Sequence, residues 1–137
     1  MQVINMESIS TKTFLSRQLD PEFSENFKRE RHENILIEII KAKELDFRKT
    51  MHFKDVLDED ISEGYNNILV DLSECDSIDS SFLGMLVQAN KMLKLNNGHL
   101  KIIGLNASSD NILIFSGFTK LFRVFNNKQL AIQSCAA

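Results

Sequence analysis

The sequence predicts an α/β fold: a four- to five-stranded, mostly parallel sheet, opened by an antiparallel hairpin and accompanied by about four helices. Three observations carry this. Two short stretches, "NNILVDLS" and "HLKIIGL", hold apolar runs of the kind found in strands covered on both faces. Segments of helical spacing stand between the strands, so strand and helix alternate as in crossover units. Near the start, "FSENFKRERHENILIEIIKAKE" passes from weak alternation through a polar turn at Arg31 to Asn34 into a β-branched run, Ile35 to Ile40, the pattern of a hairpin.

Taken in order, residues 1–23 are mixed and polar, contain the single proline, Pro21, and show no period. They are expected to form a flexible arm ahead of a folded domain at 24–137. After the hairpin, Asp46 is placed to cap a helix in which Phe47, Met51, Leu57 and Ile61 recur at roughly helical spacing, and Gly64 supplies a left-handed stop. Ile68, Leu69, Val70 and Leu72 form the next strand. A helix follows from about Ser80 to Leu95, closed by Asn96-Asn97-Gly98, and then the strand of "HLKIIGL". "SSDNILIFSGF" is expected as a short helix capped by Ser108 or Ser109, with Gly117 past its end. "LFRVF" reads as a last strand and "NKQLAIQSCAA" as a final helical turn or two.

The totals exclude several classes. A chain of 137 residues fits one domain with one core. A formal charge of −3 lacks the basic face that non-specific nucleic-acid binding needs. No apolar run approaches the roughly 20 residues of a membrane span, and the N-terminus lacks a secretory apolar region. Cys75 and Cys135 are the only cysteines, 60 positions apart, and read as reduced thiols of a cytoplasmic protein. His32, His52 and His99 are scattered without metal-ligand spacing. No nucleophile–base pair and no Gly-rich phosphate loop stands out, so neither an enzyme nor a cofactor or metal site is expected.

The stretch "DSIDSSFLGMLVQANK", residues 76–91, lies beyond the carboxyl end of a predicted strand, where open α/β sheets place function. With Asp79 or Ser80 as N-cap, Ser80 and Ser81 stand at the start of a helix, where unpaired backbone N–H groups favour negative charge. A phosphoserine there adds nearly two negative charges and would repel Asp76 and Asp79. Asp-Ser-Ser ahead of an apolar run is also an ordinary helix start. Phe82, Met85, Leu86, Ala89, Met92 and Leu93 form an apolar stripe read chiefly as core, which Leu83 and Val87 widen toward a docking surface.

These residues, with the element order, resemble the STAS family, whose bacterial members include anti-sigma factor antagonists. The resemblance lies in Asp71-Leu72-Ser73, then Asp79-Ser80-Ser81-Phe82-Leu83-Gly84. It extends to Gly98 before a strand, to Ser116-Gly117-Phe118, and upstream to "KELD". It covers about residues 25–133 and implies a STAS-like sheet with an N-terminal hairpin. The resemblance implies Ser80 as phosphoacceptor, with Asp46, Asp79, Ser81, Phe82 and Gly84 on the face that meets partners. It implies a serine kinase and anti-sigma factor of the GHKL ATPase type as partner and a PP2C-type phosphatase to reverse the modification. The unmodified form would bind the kinase and free a sigma factor or other target. Two positions depart from the family pattern: Phe82 and Lys43 stand where glycine is usual.

Two other readings accompany this one. A STAS domain can serve as an unphosphorylated scaffold in a signalling or transport complex. A receiver domain would make Asp71 the phosphorylated residue, but no acidic pair follows a first strand and no Lys-Pro follows the last. A nucleotide-binding doubly wound enzyme is weaker still, since the first strand–helix turn "IIKAKELDF" has no glycine. An exposed first hairpin could pair with a second copy as a weak homodimer, leaving the oligomeric state open.

Overall fold

The computed structural model describes residues 25–104, Gly117 and residues 119–135. The arm expected at 1–23 and the cap expected at Ser108 or Ser109 lie outside the described residues. Strands β1 (Phe27–His32) and β2 (Ile35–Ile40) form the predicted antiparallel hairpin, with Phe27 opposite Ile40 and His32 opposite Ile35. Its two-residue turn places Glu33 at φ 57, a positive value of the kind that hairpin turns need. The short strand β3 (Glu44–Leu45) leads into helix α1 (Phe47–Ser62), and β4 (Asn67–Asp71) follows. Then come β5 (Ser77–Ile78), α2 (Ser80–Lys94), β6 (His99–Ile103), β7 (Val124–Phe125) and α3 (Lys128–Ser134).

The main sheet has the order β1-β2-β4-β6-β7, and every pairing after the hairpin is parallel. The path β2 to β4 to β6 advances in one direction, so two crossovers of the same hand put α1 and α2 on the same face. Beneath them sits the larger core, built on Phe53, Val56, Ile68, Val70, Phe82 and Leu86. The opposite face carries a smaller core of Ile35, Ile37, Leu69, Ile103 and Ala131, covered by α3. Among the described residues, no helix is long and apolar enough to cross a membrane.

Both long helices end as left-handed stops. After α1, Tyr65 N–H donates to the Asp60 carbonyl and Gly64 N–H to that of Ile61, with Gly64 at φ 93, a Schellman pattern. After α2 the left-handed residue is Asn97, at φ 61. Gly98 serves another need: a Cβ there would lie 2.4 Å from the Asn66 carbonyl oxygen, where β6 begins beside β4.

Two expectations near the C-terminus are corrected. Gly117 is not the expected stop: it and residues 119–121 are helical. Its φ is not left-handed, and a Cβ on it would lie 2.8 Å from the Leu83 side chain, so the glycine permits close approach to α2. The strand expected over "LFRVF" shrinks to Val124–Phe125, because Leu121 still belongs to the helix.

The exposed edge β1 carries Lys28, Arg29, Glu30, Arg31 and His32 in succession. Charge along an edge is a common guard against pairing with a second copy. Arg29 is the exception to its outward neighbours. Its guanidinium reaches Glu38 across the hairpin at 3.2 Å, Glu59 at 3.2 Å and Asp60 from α1. Glu38 and Asp60 are fully buried. Burial acts to lower the Arg29 pKa, but the charges of Glu38, Asp60 and Glu59 outweigh it and hold the guanidinium firmly protonated.

Candidate functional site

The site is built by a device that no single stretch announces. Strands β3 and β5 form a separate two-residue parallel ladder, Glu44 opposite Ser77 and Leu45 opposite Ile78. Asp76 and Ser77 both donate their backbone N–H to the Lys43 carbonyl, at 2.7 and 3.0 Å. Leu45 and Ile78 turn into the core. The next residue in each strand is a helix N-cap, Asp46 for α1 and Asp79 for α2. The ladder therefore sets the two helix starts side by side at the carboxyl end of the main sheet, on one surface.

Each cap has extended backbone and accepts the orphan donors of its helix. Asp46 accepts the Lys49 N–H at 2.9 Å, and its side chain is 63% exposed. That hydrogen bond holds its carboxyl below the usual carboxylate range, with Lys49 and Arg48 charges adding to the effect against a small burial penalty. A depressed folded-state value means that the cap supports the fold at neutral pH. Its support is lost as pH falls through the folded-state value. Asp79 accepts the N–H of Ser81 at 3.1 Å and of Phe82 at 3.2 Å, and also the Ser81 hydroxyl.

This arrangement separates the two serines. Both are exposed, but the Ser81 hydroxyl is bound to Asp79 while the Ser80 hydroxyl has no hydrogen bond among the described residues. Ser80 is the first residue of α2, directly after the Asp79 cap, and is exposed. Asp79→Ala removes the acceptor for both N–H groups and is expected to destabilise the fold by about 1 kcal/mol. A urea titration that shows no change would mean the cap is redundant.

Phe82 is not at the surface. It is fully buried, with its ring centroid 5.7 Å from that of Phe53, which in turn lies 5.5 Å from Phe27. This three-ring contact ties α2 to α1 and β1, and it corrects the expectation that Phe82 touches a partner. Gly84 is exposed, and no atom stands within 4 Å of where a Cβ would be. With Ser81 it borders an apolar groove between α1 and α2 of about 390 Å³.

The loop below the site is locked. Asp71, nearly buried, accepts the Ser73 N–H at 2.9 Å and its hydroxyl at 2.7 Å. Gly104, at φ 66, passes so close that a Cβ would lie 2.6 Å from the Ser73 Cβ. Asp71 is thus committed to shaping its own loop. The turn after β1, Glu33-Asn34, lies at the other end of the sheet because β1 runs antiparallel. Both points exclude the receiver reading.

Cys75 is buried beneath the same loop, and burial, then Asp71, Asp76 and Glu74, push its thiol up to about 12. Native protein near pH 8, about the ordinary thiol value, is therefore expected to expose only Cys135 to a thiol reagent, and both cysteines in denaturant. Rapid native labelling of Cys75, located by peptide mapping, would contradict this. Elsewhere, Glu59, Asp60 and Glu63 bring carboxylate oxygens within 4.8 Å of one another. They lie at the far end of α1 from Asp46, and Glu59 and Asp60 already hold Arg29.

Comparison with known proteins identifies the family and the fold. A family model described as the STAS domain matches residues 26–131. A Thermotoga neapolitana protein with the name "Putative anti-sigma factor antagonist TM1081 homolog" is 28% identical over 102 residues, 74% of this chain and 89% of its own. The crystal structure of the corresponding Thermotoga maritima protein superposes with a TM-score of 0.68 at 23% identity, covering 82% of this chain and 97% of its own. The anti-sigma factor antagonist SpoIIAA in its unphosphorylated form shares the fold with a TM-score of 0.66 at 17% identity, over 79% of this chain and 94% of its own.

Proposed function

This chain belongs to the STAS domain family, and we propose that it acts as an anti-sigma factor antagonist switched by phosphorylation of Ser80. In this reading the unmodified protein docks a serine kinase and anti-sigma factor of the GHKL ATPase type in the cytoplasm and thereby frees a sigma factor or another target. A PP2C-type phosphatase restores the docking form. The protein itself is a binding module and not an enzyme.

The observation that carries this is the Ser80 hydroxyl, exposed at the start of α2 and without a hydrogen bond among the described residues, while its neighbour Ser81 is engaged by Asp79. Supporting it, the β3–β5 ladder pairs the strand that ends at the Asp46 cap with the strand that ends at the Asp79 cap. A phosphate placed there meets the positive end of the α2 dipole, so the domain tolerates it, while the neighbouring carboxylates turn the docking face strongly negative. The SpoIIAA fold, which this chain shares, has been solved in a phosphorylated form as well, with a TM-score of 0.62.

The test uses a kinase captured on Ser80→Ala protein. Incubated with that kinase and ATP, the wild-type chain gains one phosphate by intact mass and Ser80→Ala gains none. Equal phosphate uptake by Ser80→Ala would remove Ser80 from the role.

A further inference from the structure

The groove between α1 and α2 has buried Thr50, Leu57 and Ala89 in its lining, together with the more exposed Met51, Met85 and Met92. Its volume of about 390 Å³ falls in the range of small-molecule sites, which are largely apolar with a few placed polar groups. One polar group here has no internal role. Thr50 is 2% exposed, and its Oγ1 is buried without a hydrogen-bond partner. A helical threonine can turn its hydroxyl onto the carbonyl of the preceding turn. In α1 the Asp46 carbonyl accepts the Thr50 N–H at 2.9 Å, and the hydroxyl makes no such bond. A buried hydroxyl left unpaired is costly, so this one calls for a partner that comes from outside the fold.

We propose that the groove binds a neutral amphiphile, an apolar body with one hydroxyl or carbonyl group that pairs with the Thr50 hydroxyl. The charges around the groove set this class. Lys54 lines it but is bound to Asp58 at 2.8 Å. Ser81 gives its hydroxyl to Asp79. The caps Asp46 and Asp79 stand next to the groove residues Phe47 and Ser81, at the starts of the two helices. Among the described lining residues no unpaired cation remains for a carboxylate or phosphate, and an anion would meet those two caps. From Phe47 to Asp58 the groove follows about 16 Å of α1, room for an alkyl chain of medium length. Methionine side chains mould to such a chain and can part to let its polar end reach Thr50. Gly84 leaves the α2 side open, with no atom within 4 Å of where a Cβ would be. The face of a docked protein would not reach a hydroxyl so deeply buried.

The site stands apart from the Ser80 reading, and its test follows the groove directly. The full chain, labelled at its methionine methyl groups, is titrated with n-octanol and separately with n-octanoate. The Met51, Met85 and Met92 signals, assigned by single Met→Leu variants, are expected to shift saturably with n-octanol and more weakly with n-octanoate. Thr50→Val should bind n-octanol roughly 3- to 10-fold more weakly, the usual worth of one hydrogen bond. Gly84→Leu, which fills the groove, should show no saturable shift. In urea, Thr50→Val should unfold at no lower concentration than the wild type, because it loses only an unpaired hydroxyl. A lower midpoint would mean that the hydroxyl already has an internal partner and overturns the proposal. So does equal n-octanol affinity in Thr50→Val, and so does n-octanoate binding as tightly as n-octanol. If n-octanol moves none of the three signals the proposal also falls, and a captured kinase that moves them would make the occupant a protein surface.

Discussion

Arg29→Met is expected to lower the stability of the domain by about 3–5 kcal/mol, the usual effect of removing one member of a buried ion network. One guanidinium joins the hairpin to α1: Glu38 pairs with Arg29 across the strands, and Glu59 and Asp60 reach it from the last turns of the helix. The Arg29 side chain is 28% exposed while those of Glu38 and Asp60 are 0% exposed, so the carboxylates, not the cation, carry the desolvation. Without the guanidinium they keep that penalty and lose their main compensation. Against a total stability of about 5–15 kcal/mol for an ordinary domain, the variant would be marginal at best. Arg29→Lys is expected to recover only part, since a single ammonium cannot fork to three carboxylates from two directions. Urea midpoints for the three proteins decide it. A change below about 1 kcal/mol for Arg29→Met would mean that the carboxylates are satisfied in another way.

This network shows where sequence reasoning stops. Arg29, Glu59 and Asp60 lie in segments that look like ordinary solvated faces, and only Glu38, alone inside "ILIEII", breaks an apolar run. The carboxylates that Arg29 gathers lie 9 to 31 positions from it, so their meeting depends on the packing of α1 over the hairpin. By contrast, β4, α2 and the caps Asp46 and Asp79 were legible, because apolar runs and N-cap chemistry are local. The β3–β5 ladder was not, since two residues make no period. Its one trace is that "ELD" and "SID" each place a buried apolar residue just before a cap. Only the family resemblance sets Phe82 on the partner face; helical spacing sets it in the apolar core stripe, where it lies. It stands where the family pattern has glycine, beside the exposed serine, but helical rotation carries its ring inward against Phe53.

Phosphorylation of Ser80 is expected to weaken docking of the captured kinase by roughly 5- to 150-fold, the range of an ordinary regulatory coupling. The N–H groups of Ser81 and Phe82 are already held by Asp79, so a phosphoryl group on Ser80 competes for them with a carboxylate that is the native cap. Its charge therefore stays on the docking surface, beside Asp46 and Asp79. Ser80→Ala keeps the flat, unmodified surface and should bind like the wild type. Ser80→Glu brings one charge instead of nearly two, on a shorter arm, and should fall between the two forms. Because the site is exposed, the penalty should shrink as salt rises toward about 1 M, where the screening length is near 3 Å. Calorimetric titrations of the four forms at two ionic strengths separate the causes. A penalty that ignores salt would make bulk, not charge, the agent, and equal affinity of the phosphorylated and unmodified chains would end the case for a switch at Ser80.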